Sequence, residues 1–102
     1  MVIDNRFIHE ILDREFEMQA NEHEPVNTKR MKTHKNYRKY IRLIPEHLHY
    51  HVPRSCEISV CPIKLHSNNS EMNLLIYHNE KDYYAVVIAN KKNRMIDGRI
   101  IQ

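Results

Sequence analysis

Residues 72–89 read Met72-Asn73-Leu74-Leu75-Ile76-Tyr77-His78-Asn79-Glu80-Lys81-Asp82-Tyr83-Tyr84-Ala85-Val86-Val87-Ile88-Ala89, and this stretch decides the fold. Two apolar runs rich in β-branched and aromatic residues flank a polar group, the pattern of two strands joined by a turn. Asn79-Glu80-Lys81-Asp82 supplies the turn chemistry. Strands are therefore predicted over 72–77 and 83–89. Their consecutive apolar residues, Leu74-Leu75-Ile76-Tyr77 and Ala85-Val86-Val87-Ile88, mark central strands with both faces partly covered.

Working outward, residues 90–93 turn the chain again and residues 95–101 form a last strand. Its Asp97-Gly98 holds the one glycine of the protein and predicts a bulge or a very tight hairpin. Upstream, Ser67-Asn68-Asn69-Ser70 is a turn. Before it, Cys56, Ile58 and Val60 alternate with Glu57, Ser59 and Cys61 until Pro62. A proline costs a ladder hydrogen bond, so a sheet edge, bulge or strand end is expected there.

Further upstream, His47-Leu48-His49-Tyr50-His51-Val52 alternates imidazole and apolar residues. On a strand, His47, His49 and His51 share one face and Leu48, Tyr50 and Val52 enter the core. Same-face neighbours on a strand are roughly 6.7 Å apart at the backbone. Two of these histidines can therefore converge on one zinc ion, while three converge only on a kinked strand. The solvated face of a strand is the bland reading of the same pattern, and no metal site is assigned.

The first 45 residues carry a different period. Asp4 or Asn5 caps a helix whose Phe7, Ile8, Ile11, Leu12 and Phe16 fall on one apolar face, with Glu10, Asp13, Glu17 and Glu22 solvated. This helix should fray near Asn21, ahead of His23-Glu24-Pro25. A second helix is predicted over residues 28–44, because Tyr37, Tyr40, Ile41 and Ile44 recur at i, i+3, i+4, i+7 and Pro45 follows. A strand over residues 39–44 is the rival reading. The expected fold class is α+β. Two N-terminal helices pack on a four- to five-stranded, mainly antiparallel sheet formed by the C-terminal half, as a single compact domain over residues 1–102 (helical 1–45, β-rich 46–102).

The chain has 102 residues and a net charge of +3, but the charge is segregated. Residues 1–24 carry two bases against seven acids, −5; residues 25–45 carry seven bases and no acid, +7; residues 46–102 carry seven against six, +1. The middle block, Lys29, Arg30, Lys32, Lys35, Arg38, Lys39 and Arg42, is interleaved with His34, Tyr37 and Tyr40. Cations release counterions from a phosphate backbone, and aromatic rings can stack on unpaired bases. The competing expectation is that this block neutralises the acidic first helix in an antiparallel helix pair. No apolar run is long enough to cross a bilayer and no signal-peptide core is visible, so a cytoplasmic protein is expected. Cys56 and Cys61 should be reduced and structural, since their odd spacing on one strand points them apart. With one glycine no phosphate-cradling loop or dinucleotide fingerprint can be written, and no cofactor is expected.

Three functions from different classes follow. The leading one is a small basic nucleic-acid-binding protein, for RNA or single strands rather than duplex DNA, with Lys29, Arg30, Lys32, Lys35, Tyr37, Arg38, Lys39 and Arg42 as its contact set. Richness in Asn, Ile and Lys suits an AT-rich viral or mobile-element genome. The second is a metal-independent endoribonuclease in which two of His47, His49 and His51 act as base and acid and Arg54 or Arg42 stabilises the phosphorane. The element order is similar to that of small ribonucleases of the barnase and RelE-like kind, a similarity of layout that carries no motif. The third is a protein-interaction module or inhibitor, and a protein partner or homodimer stays open.

Overall fold

The computed structural model describes residues 3–18, 23–25, 32–35, 38–66 and 69–101. Helix α1, Asn5–Phe16, starts where Asp4 accepts a hydrogen bond from the Phe7 N–H at 2.9 Å. It ends where Glu17 turns left-handed at φ 56° and the N–H groups of Glu17 and Met18 reach Asp13 O and Leu12 O. The paired closing bonds use the last carbonyls of the helix, so it stops about one turn short of the expected Asn21. Glu10, Asp13 and Glu17 are exposed as expected; Glu22 lies outside the described residues.

The sheet is antiparallel throughout. Strands β1 (His23–Pro25), β2 (Lys32–Lys35), β3 (Glu57–Leu65), β4 (Glu71–His78), β5 (Tyr83–Ala89) and β6 (Met95–Ile100) run in the order β1-β3-β4-β5-β6, with β2 also on β3. Strands β3 to β6 form a meander from the C-terminal half. Asn79 and Asn90 close two of its turns by accepting the Lys81 and Asp82 N–H groups and those of Lys92 and Arg94. β1 and β2 share the outer side of β3, β2 against residues 57–60 and β1 against 63–65. Pro62 does not end β3. It falls between those two pairings, where a missing N–H is least costly. Nor does Asp97-Gly98 make a hairpin. Gly98 sits inside β6, and the register slips one step away, where Ile88 faces Asp97 and Ala89 faces Met95.

Alternation sends the strands' apolar residues to two separate cores. On one face α1 buries Ile8, Ile11 and Leu12 with Cys61, Ile63, Leu74, Ile76, Val86 and Ile88. Phe7 stacks its ring on Tyr83 at 4.7 Å. On the other face Tyr40, Ile44, Val52 and Cys56 cover Ile58, Val60, Leu75, Tyr77, Ala85 and Val87. The buried Tyr77 hydroxyl donates to Tyr40 O and ties this cover to the sheet. Cys56 and Cys61 are buried free thiols in opposite cores. Burial pushes Cys56 up to about 11 and Cys61 up to about 12.

The segment before β3 departs from expectation. In place of a helix over 28–44 there are β2 and a single turn, α2, Arg38–Ile41. The rival strand over 39–44 is also not formed. Turn bonds from the Leu43 and Ile44 N–H groups to Tyr40 O and Ile41 O bring Ile44 down onto the sheet. Pairing of residues 32–35 with β3 outcompetes the helical spacing. The fold is thus α+β with an antiparallel sheet, but with one long helix among the described residues rather than two. No helix among the described residues is long and apolar enough to cross a membrane.

Candidate nucleic-acid interface

The histidine stretch is a 3-10 helix, Glu46–His51, not a strand. Pro45 precedes it, and its two flanks, Ile44 and Val52, are both buried in the same core. Six residues rise roughly 12 Å as a 3-10 helix against roughly 20 Å extended, so the compact form lets both anchors reach the sheet. With three residues per turn, positions two apart lie 240° apart around the axis. His47, His49 and His51 therefore diverge in three directions. Val52 is buried as expected, but Tyr50 is 80% exposed rather than in the core.

Each histidine has its own setting. His47 is exposed. His49 lies with Nε2 2.8 Å from Ile44 O; a carbonyl only accepts, so Nε2 carries the proton and the ring braces the turn. The ring of His51 packs on that of Tyr50 with centroids 4.0 Å apart. Arg54 is exposed, and beside it Ile41, Ile44, His49 and Val52 line a pocket of about 60 Å³. That is well below the several hundred Å³ of a small-molecule site. The shared strand face that was to set two of these imidazoles side by side is not formed, because the segment is a 3-10 helix.

Of the expected nucleic-acid contacts, Lys39 and Arg42 are exposed, Lys39 with its ammonium 5.6 Å from the Tyr40 ring centre. Tyr40 itself is 9% exposed and holds the core, so it cannot stack on a base. Lys32 and Lys35 take register positions opposite Val60 and Glu57, and Arg38 opens α2. Lys29, Arg30 and Tyr37 lie outside the described residues. Among the described tyrosines of this region the exposed one is Tyr50, which its alternation with histidine had assigned to the core.

The electrostatic arrangement follows from the two cores. Among the described residues, the segment 38–56 that covers the sheet holds four Lys or Arg, Arg38, Lys39, Arg42 and Arg54, against one acid, Glu46. The described part that packs on the sheet, through Tyr40, Ile44, Val52 and Cys56, covers the face away from α1. The acidic helix and this basic cover thus have the sheet between them and do not form the expected helix pair. Among the described side chains, the ion pairs of α1 are internal, Arg6–Glu10 and Arg14–Glu15 at 3.4 Å each.

A polar chain that the sequence reading missed crosses β2, β3 and β4. Thr33 Oγ1 lies 3.0 Å from Ser59 Oγ, which lies 2.8 Å from His78 Nε2, while His78 Nδ1 is 3.3 Å from Asn79 O. The Asn79 carbonyl can only accept, so a neutral His78 donates from Nδ1, Ser59 donates to Nε2, and Thr33 donates to Ser59. The contact resembles a serine hydrolase pair, but Ser59 is 1% exposed and no substrate can reach it. The chain satisfies buried polar atoms. Its only sequence signal is a serine interrupting the apolar run Ile58, Val60, Cys61.

Among the described residues no three His, Cys, Asp or Glu side chains are grouped as a metal ion requires. Comparison with known proteins gives no match, whether to a family model, a curated protein or a solved structure.

Proposed function

We propose that the protein binds single-stranded nucleic acid, RNA above all, on the sheet face opposite α1. The observation that carries this reading is the separation of charge. The basic cover is not neutralised by the acidic helix, because the sheet lies between them. Lys39, Arg42 and Arg54 are exposed cations on or beside that cover, and the same segment carries the exposed Tyr50, whose ring packs on the half-buried His51. Phosphates meet the cations and an unpaired base stacks on Tyr50. A duplex offers no such base, and among the described residues no helix of this cover is long enough to lie in a major groove.

About four to five phosphate contacts give a log–log salt slope near −3 for a single strand. Between about 50 and 200 mM salt the affinity should therefore fall roughly 60-fold. Titrating a fluorescent single-stranded RNA at stepped salt concentrations measures this slope. No detectable binding at the lowest salt, or a flat salt response, contradicts the proposal.

A further inference from the structure

Strand β6 ends the sheet, and among the described residues no strand lies on its outer side. The hydrogen bond from the Ile101 N–H to Tyr84 O, 2.8 Å, fixes which backbone groups face outward. Ladder bonds fall on alternate residues of an antiparallel pair, so Asp97, Arg99 and Ile101 direct theirs to β5 while Gly98 and Ile100 direct theirs away. At Gly98 these outward groups are held by neighbouring side chains. Its N–H donates to Asp97 Oδ1 at 2.8 Å, and its carbonyl accepts from Arg99 Nη1 at 2.8 Å. Asp97 and Arg99 are themselves an ion pair. Ahead of them Met95 and Ile96 are 42% and 57% exposed, and Ile96 is the extra residue at the register slip.

We propose that β6 is the docking edge for a second copy of this chain, about a two-fold axis at Gly98. The run Ile96-Asp97-Gly98-Arg99-Ile100 is chemically complementary to its own reverse. Antiparallel self-pairing sets Asp97 opposite the partner's Arg99, Arg99 opposite the partner's Asp97, and Ile96 opposite the partner's Ile100. The two Gly98 residues face each other and exchange N–H···O bonds in place of those to the side chains. The two Asp97–Arg99 contacts, one within each strand, are traded for two of the same kind across the axis, so neither charge is left alone. Cross-strand pairs of opposite charge and of aliphatic residues both favour this register. Opposed residues share a face in such a pairing, so both copies carry their basic covers on the same side of one continuous sheet.

Sedimentation equilibrium tests the proposal without any nucleic acid. The wild type should move from 12.4 kDa toward twice that mass as concentration rises. Asp97→Arg alone sets arginines against arginines, and Arg99→Asp alone sets acids against acids, so each should stay at 12.4 kDa. Mixing these two variants restores both pairs and should restore the dimer, as should combining both changes in one chain. Circular dichroism checks that each variant keeps its sheet. A wild type that stays monomeric at submillimolar concentration overturns the proposal and makes the Asp97–Arg99 contact a guard against strand addition. Single variants that dimerise as well as the wild type, or a mixture that stays monomeric, overturn it too.

Discussion

Between pH 9 and pH 11 the protein should lose about 4 kcal/mol of folding stability, a large share of what a small domain possesses. The cause is the pair of thiols buried in opposite cores. An exposed cysteine ionises near 9.0, whereas burial holds Cys56 protonated to about 11 and Cys61 to about 12. Below pH 9 folded and unfolded chains both keep these protons, and the thiols add no pH dependence. Above it the unfolded chain releases two protons that the folded chain retains, so stability falls by about 1.4 kcal/mol per pH unit for each thiol. Burial raises Tyr77 as well, which steepens the loss above pH 10. Urea midpoints measured from pH 8 to pH 11 should drop accordingly, and less in a Cys56→Ala/Cys61→Ala variant. Midpoints that stay level across this range would contradict the burial of both thiols.

Ile76→Ala should cost about 3 kcal/mol, within the usual range for an isoleucine deleted from a closed core. Ile76 is wholly buried on β4, opposite Ser59 on β3 and Val86 on β5, in the core capped by α1. The same truncation at Tyr50, 80% exposed, should change stability by no more than about 0.5 kcal/mol despite the larger side chain. Paired urea melts of the two variants separate the observed 3-10 helix from the strand that alternation suggests. On that strand Tyr50 would be a core residue and its loss would be the more damaging of the two.

Elements defined by local pattern were legible in the sequence. The apolar runs of β4 and β5, the asparagine turns after them and the Asp4-capped α1 needed only neighbouring residues to be recognised. Elements defined by distant partners were not. Residues 32–35 become a strand because residues 57–60 offer an edge some 25 positions later, which no window around Thr33 reveals. The six residues from Glu46 to His51 alternate like a strand, yet burial of Ile44 and Val52 at their ends requires a shorter path. The same blindness affects the candidate site. The basic block is plain in composition, but its separation from the acidic helix depends on which face each segment covers. Tyr50 was misplaced for that reason, and Ser59 and His78 met only once β3 and β4 were in register.

The most direct test of the proposed interface compares the two faces of the sheet within one binding assay. Lys39→Glu/Arg42→Glu/Arg54→Glu reverses three exposed cations on or beside the basic cover, and Arg6→Glu/Arg14→Glu reverses two exposed cations of α1. Affinity for a labelled single-stranded RNA at low salt should fall more than ~10²-fold in the first variant, with a shallower salt slope. In the second it should stay within ~3-fold of the wild type, because the sheet separates α1 from the bound strand. Equal losses in both variants, or full affinity in the first, would contradict binding on the face opposite α1.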